Sequence, residues 1–518
     1  VKVVHFPVLF PEVFLGSNSG FNVIIGNPPW EKIMVKENEF FGRYLPGLRG
    51  LSQREYVKQK KKLKEDRPDL IKKYEHEKNY ADNLRNLIQS SSENIMGAGH
   101  PDLYISFCFK FLNLLSNNNG IAGVVLPRSS ISAKGSENFR RKLFQSVDSI
   151  KLTLLQNTKQ WIFKIHPQYT ISLTTFSKSK LEKGLTLEGP YNSLSSLVDR
   201  KTDQSKTFKI SEVFNWNDTL SLPILPKTES AEVFAQLRKS PRLDLNVENN
   251  WRVRPIQEMN TTFDQDKMNY LDDCPQNFWK VYKGASFDIW ENDTGIYNAW
   301  ADPNVILPWL QKKRSKSKSS NKNSLFKEFD DNHINDKSTL PPLNPRIAFR
   351  DITNRTNSRT VIPCLIPPKT FVTNKAPVLI FTKGDKKDEA FLLGVLSSIP
   401  LDWYARRFVE INLNFFILNP FPIPRPQRDN NLWKEIVQIS GRLASTDARY
   451  KEWSNEVEVD FGSLETEIKF EMVCKLDALV SKLYGLSEKH LIHIFETFHE
   501  GWNYESRLNK VLNFFHEY

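Results

Sequence analysis

The chain has 518 residues, 72 Lys and Arg against 60 Asp and Glu, a net charge of +12, and 12% aromatic residues that include 12 Trp. That length accommodates about two to four domains with real cores, and the basic balance suits a polyanionic partner. Four scattered cysteines (Cys108, Cys274, Cys364, Cys474) form no Cys-x-x-Cys pair, and there is no long apolar run or signal-peptide pattern, which argues against a disulfide framework, a zinc site and a membrane span, and makes a soluble cytoplasmic protein the expectation.

In chain order, the first informative stretch is Phe21-Asn22-Val23-Ile24-Ile25-Gly26-Asn27-Pro28-Pro29-Trp30. β-Formers running into a glycine predict a buried strand that meets a turn. The turn carries an amide, two prolines and an indole. An exocyclic ring amine such as adenine N6 is a weak nucleophile, because its lone pair is delocalised. The Asn27 side-chain oxygen and the Pro28 carbonyl can each accept one of its two N–H bonds, pulling the nitrogen toward a tetrahedral, more nucleophilic state. Proline fixes φ, so that carbonyl is held in place. Trp30 then offers a face on which an extruded base stacks.

The Asn-Pro-Pro-Trp tetrapeptide resembles the motif of amino-methyltransferases, chiefly DNA adenine-N6 methyltransferases, and the stretch His5–Phe14 resembles the segment upstream of it in type IIG-like restriction–modification enzymes. The resemblance implies an α/β fold: a partial Rossmann-like methyltransferase sheet, then an α+β target-recognition domain and C-terminal helices. It implies S-adenosyl-L-methionine as donor and double-stranded DNA as partner, with catalytic roles for Asn27, Pro28, Pro29 and Trp30. In this family the cofactor is held by a Gly-rich loop after the first strand and an acidic residue after the second. Gly16 and Gly20 lack the spacing and the following helix, so the expectation is a C-terminal portion whose cofactor site is completed by an N-terminal segment or another chain.

Residues 31–100 are polar and are expected to form a helical insertion, with a lysine run at 58–64 that either touches phosphate or lies on a solvated face. Gly99-His100-Pro101-Asp102-Leu103-Tyr104 opens an apolar helix through Leu115. The resemblance places Asp102 beside the cofactor, along with Asn27; a capping charge is the alternative for Asp102. Strands are predicted at Ile121–Leu126, Leu152–Gln156 and Thr170–Phe176. The loop from Trp161 to Gln168 falls where the family presents a second ring to the base, Phe163 being the first candidate and His166 the second.

The catalytic part is expected over 1–190, a connector over 191–250, the target-recognition domain over 251–430 and a helical region over 431–518. Alternation around Gly284, from Phe278 to Trp290, predicts a hairpin. The acid-free run 311–322 is expected to be a flexible loop along a phosphate backbone. Between strands, Arg346, Arg350, Asn354, Arg355, Asn357 and Arg359 are candidates for DNA contact, since Arg and Asn can read purine edges and hold phosphates. Stretches 361–368, 396–407 and 414–424 resemble the recognition half of type IIG-like enzymes. The functional expectation is site-specific methylation of adenine N6 in a bacterial restriction–modification or phage-defence system, without a metal. The alternatives are a non-catalytic DNA-binding fragment and an Asn-Pro-Pro enzyme acting on protein or RNA.

Overall fold

The apolar residues before the Asn-Pro-Pro-Trp turn pair with a second strand far along the chain. In the computed structural model, β1 (Val23–Gly26) lies parallel to β2 (Ile121–Pro127), in register Val23 to Ile121. The structure describes residues 5–518 apart from 46, 49–58, 60, 64, 91–101, 165–168, 179–182, 200–204, 226, 228, 249, 355–356 and 500. These fall into two compact units, Val1–Lys227 and Thr228–Tyr518.

In the first unit β3 (Ser149–Gln156), β4 (Thr170–Ser177), β5 (Gly184–Tyr191) and β6 (Ser205–Phe208) extend the sheet in the order β1-β2-β4-β3-β5-β6. β1, β2, β3 and β5 run one way, while β4 and β6 run the other. The Leu103–Leu114 helix connects β1 to β2 and buries Tyr104, Ile105, Cys108, Phe109 and Leu112. It passes so close to the sheet that a Cβ on Gly26 would stand 3.1 Å from the Phe111 ring. Gly20, at φ +111°, lets the chain turn over Ser116, whose backbone nitrogen would lie 2.6 Å from a Cβ there.

β1 is an edge strand rather than the buried one predicted: Val23 is 62% and Ile25 85% exposed. One face is covered and the other is open, a distinction that an unbroken run of β-formers does not carry. Ahead of it, Phe6, Phe10 and Phe14 pack around Phe21 at centroid distances of 6.1, 5.8 and 5.3 Å. The expected insertion contains helices Glu37–Gly42 and Pro68–Gln89 around a core of Phe40, Phe41, Leu48, Leu63 and Leu70. Lys58, Lys60 and Lys64 of its lysine run lie outside the described residues.

Arg140 locks the segment after β2. Its guanidinium is fully buried and donates to the carbonyls of Ser130, Ala133 and Thr219 at 2.6–3.1 Å. With no carboxylate in that set, burial pulls its pKa down to about 9. The expected connector divides: its first part supplies β6 and Trp216, whose ring meets Phe208 at 4.9 Å. Its second part begins the other unit with helix Glu229–Leu237.

The second unit holds two small sheets. β7 (Arg252–Ile256), β10 (Arg346–Phe349), β11 (Pro363–Ile366) and β13 (Val378–Lys383) are antiparallel in the order β11-β10-β13-β7. β8 (Trp279–Tyr282), β9 (Ala299–Ala301) and β12 (Thr370–Val372) form the order β12-β8-β9. The predicted 278–290 hairpin does not form, because β8 finds its partners 17 or more residues away while Gly284–Ser286 makes a 3-10 turn. Nor is 311–322 a loop. Residues 311–320 are the second half of helix Pro303–Ser320, started by Asp302, whose side chain accepts the Asn304 N–H. Ile306, Leu310 and Arg314 recur every four residues on its buried face. Arg314 reaches the carbonyls of Ile334 and Asp336 and the Thr339 hydroxyl, partners that local composition does not reveal. Helices Asn431–Ala444, Thr466–Leu483, Glu488–Glu496 and Glu505–Glu517 close the chain.

Glu258 and Arg346 tie the two sheets together. Both are almost fully buried, with Nε and Nη2 of Arg346 at 2.9 and 3.0 Å from the carboxylate oxygens. Arg346 also donates to the Thr370 carbonyl, and Glu258 accepts the Val372 N–H. Removing one charge strands the other in the interior. Arg346→Met is expected to destabilise this unit by about 3–5 kcal/mol in urea unfolding, and Glu258→Leu added to it to recover most of that loss. A double variant no better than the single one would refute this.

Candidate active site

Because β1, β2, β3 and β5 are co-directional, their carboxyl ends gather along one edge of the sheet, the place where open α/β sheets bind ligands. Asn27-Pro28-Pro29-Trp30 leaves the end of β1 there. Asn27 and Pro29 are exposed, Pro28 is buried and Trp30 is partly buried. Burial and the ring together immobilise the backbone at Pro28, while the Asn27 amide faces solvent. The Trp30 indole Nε1 donates to the Val125 carbonyl on β2 at 3.2 Å, which fixes the ring against the next strand end.

Around Trp30 lies an aromatic rim. Leu155, Ile171 and Tyr191 form its buried floor, with Trp161, Ile162 and Phe163 packed on it. The loop after β3 is clamped by Asn157, whose Nδ2 donates to the Phe163 carbonyl at 2.9 Å. Its Oδ1 accepts the N–H of both Ile162 and Phe163 at 3.2 Å. Trp161 Nε1 donates to the Gln156 carbonyl at 2.7 Å. Tyr191 is held through its hydroxyl, which donates to Glu188 at 3.1 Å. Asn157 and Tyr191 were missed from sequence; the only available signal was their place at or just beyond a strand's carboxyl end.

The two rings assigned to opposite faces of a base touch each other instead. Trp30 and Phe163 meet edge to face, with centroids 5.8 Å apart and planes at 89°. A base between them would need parallel rings about 7–8 Å apart, twice the aromatic contact distance. The expected sandwich is therefore not formed in this geometry. His166 lies outside the described residues.

Asp102 comes next to the motif. The Leu103 N–H donates to the Glu31 carbonyl at 2.9 Å, and Lys32 and Asp102 form a β-bridge. Asp102 occupies the N-cap of the Leu103–Leu114 helix, yet its side chain makes no capping hydrogen bond. Burial holds its carboxyl above the usual range, against the opposing pull of Lys32.

Of the described candidates for DNA contact, Arg346 is buried and Arg350, Asn354, Asn357 and Arg359 are half-buried, with polar groups engaged within the protein. Arg346 is in the buried pair with Glu258. Arg350 donates to the Phe287 carbonyl and Asp288, and its side chain is 22% exposed. Arg359 donates to Asp402 and to the carbonyls of Ser397 and Ser398. The Asn354 side chain accepts the Asn357 N–H at 3.0 Å, closing a turn whose Asn357 carbonyl receives Arg406. Arg355 lies outside the described residues. The physical reason is local: planar guanidinium groups here satisfy the protein's own carbonyls and carboxylates, which sit far away in sequence. Among the described residues, no three or more His, Cys, Asp or Glu are placed to hold a metal, and no helix is long and apolar enough to cross a membrane.

Residues 3–162 match the Eco57I restriction-modification methylase family. No curated protein matches the chain. Among solved structures, the chain is similar to the type IIL restriction-modification enzyme MmeI in complex with DNA (11% identity, TM-score 0.42, covering 79% of this chain and 54% of that one). It is also similar to the type IIG restriction endonuclease BpuSI (12%, TM-score 0.27, 77% and 52%). A third is a nuclease-deletion mutant of the type ISP enzyme LlaGI with a DNA substrate mimic (11%, TM-score 0.39, 81% and 41%). The chain spans about half the length of these proteins, or less.

A raised carboxyl pKa favours the fold at low pH, and that advantage is lost as pH rises through the folded value. Asp102→Asn should therefore gain thermal stability relative to the parent between pH 4 and pH 7, read as a melting-temperature difference that grows with pH. A difference that shrinks over that range would contradict the burial of this carboxyl.

Proposed function

We propose that the chain is the acceptor-binding and DNA-recognising part of an adenine-N6 DNA methyltransferase, acting in the cytoplasm of a bacterium as part of a restriction–modification or phage-defence system. The observation that carries this reading is the Asn27-Pro28-Pro29-Trp30 turn at the carboxyl end of a strand within a co-directional set, its amide exposed and its Pro28 backbone held. On this reading the two N6 hydrogens of an extruded adenine are donated to Asn27 Oδ1 and to the Pro28 carbonyl. The nitrogen lone pair is thereby freed from the ring. Trp30 gives one stacking face, and Phe163 meets the base from the side rather than from the opposite face.

S-adenosyl-L-methionine, when bound, supplies an electrophilic methyl group. The residues described here do not make a site for it. Asp102 stands beside the motif, but no glycine-rich strand-to-helix turn accompanies it among the described residues. The edge position of β1 and its uncovered face, with Val23 and Ile25 bare, support completion of the sheet and of the donor pocket by further elements. These would come from an N-terminal segment or from another chain.

The test is transfer of labelled methyl from S-adenosyl-L-methionine to duplex DNA by the full chain supplied with the segment or chain that completes its donor pocket, with the modified base identified by mass spectrometry. N6-methyladenine is expected. Asn27→Ala should lower the rate by about 100-fold or more while leaving DNA affinity unchanged, as loss of a group acting chiefly in the transition state does. Methyl found on protein, on RNA alone, or on cytosine would overturn the assignment.

A further inference from the structure

Phe263 is 83% exposed, yet the loop carrying it is tightly fixed. Asn260 Oδ1 accepts the N–H of Thr262 and of Phe263, and Asp264 accepts the Asn260 N–H at 2.8 Å. Asn374 receives both the N–H and the hydroxyl of Thr261. A ring held out into water by a pre-organised loop gains nothing for the fold, and it loses little entropy when something covers it.

Beside that ring runs the exposed side of helix Pro303–Ser320. Trp309 packs on the core behind it, with the Lys313 and Lys267 ammonium groups 4.9 and 5.4 Å from its ring centre. Lys313 is tied to the Glu258 carbonyl and Lys267 to Asp266. Lys312 and Lys316, one turn apart on the exposed side, enter no ion pair among the described residues. Together with Phe263 and Trp309 they line an open hollow of about 610 Å³, in which Asp264 is the one acidic residue. Asp264 already accepts a backbone N–H. The hollow thus sets a fixed apolar ring beside two unpaired cations.

We propose that the Asn260–Asp264 loop and this side of the Pro303–Ser320 helix form a nucleic-acid contact surface, Lys312 and Lys316 taking backbone phosphates while Phe263 packs against a base or base step. Alternating anions and flat apolar faces, at the spacing of a side chain, are the chemistry of a DNA strand. The proposal rests on the reading of DNA as substrate and says where the second unit touches it. It is distinct from the 346–359 segment, whose described guanidinium groups bind the protein itself.

The experiment is fluorescence anisotropy of a labelled duplex with the full chain across a salt series, comparing the parent with Lys312→Gln/Lys316→Gln and with Phe263→Ala. All three positions are exposed or mobile-ended side chains whose loss leaves the core intact, which circular dichroism checks. Two phosphate contacts predict that the slope of log affinity against log salt becomes shallower by about 1.8 in the double lysine variant. Phe263→Ala should bind about fivefold or more weakly with the slope kept. Parental slope and affinity in both variants would overturn the surface, as would tighter binding of a polyglutamate peptide than of duplex DNA. If the parent binds DNA in this way but transfers no methyl even with its donor pocket completed, the enzymatic reading fails and the surface stands. If it methylates DNA while both variants bind normally, the surface alone falls.

Discussion

The pairing of Val23–Gly26 with Ile121–Val124 is the constraint on which the candidate site depends. It spans almost a hundred residues of sequence, and it aligns the Asn-Pro-Pro-Trp turn with the carboxyl ends of β2, β3 and β5. The register is supported where the strand begins: Phe21 exchanges hydrogen bonds with Leu114 and Ser116, and Asn22 accepts the Ile121 N–H. Two glycines permit the approach, Gly20 over Ser116 and Gly26 under Phe111. A slip of one residue would turn Trp30 away from Val125 and exchange the faces of the whole strand. The amide is thus positioned by backbone geometry, and the indole by that geometry together with its hydrogen bond to Val125.

Buried arginines organise much of the remainder. Arg140 fastens the segment after β2 with carbonyl oxygens alone, Arg346 joins two sheets through Glu258, and Arg314 anchors a helix to the loop beyond it. A guanidinium offers five donors in one plane, so a single side chain can satisfy several carbonyls that no strand or helix has paired. The cost is that a basic segment loses its use for an anion. What remains available is a lysine whose ammonium meets no partner, and the surface charge of this chain is to be sought in lysines such as Lys312 and Lys316.

This explains what was legible in the sequence and what was not. The strands at 121–126, 152–156 and 170–176 were readable because apolar β-formers bounded by turn residues are a local signal. The motif was readable because its chemistry fits in four consecutive residues. The role of Arg346 and the helical state of 311–320 depend on partners such as Glu258, Ile334 and Asp336 that lie tens of residues away. Low complexity suggested disorder, whereas a buried face of Ile306, Leu310 and Arg314 already met the requirement for a helix. Asn157 clamps its loop through bonds that a lone Asn after a strand does not announce.

The edge-to-face contact of Trp30 with Phe163 bears on how a base reaches the amide. Such a ring pair contributes about 0.5–1.5 kcal/mol beyond the area it buries, whereas stacking a base on an aromatic side chain contributes about 1–3 kcal/mol. On the proposed reading, a base that takes the place of one ring edge against Trp30 exchanges one aromatic contact for another. The backbone of the Phe163 loop need not move, since Asn157 holds it through main-chain groups and leaves the side-chain torsions unconstrained. Trp30 is the poorer candidate to yield, because turning it out would leave the Val125 carbonyl without its donor. On the proposed reading, Phe163 is the ring that gives way and Trp30 the one that stays.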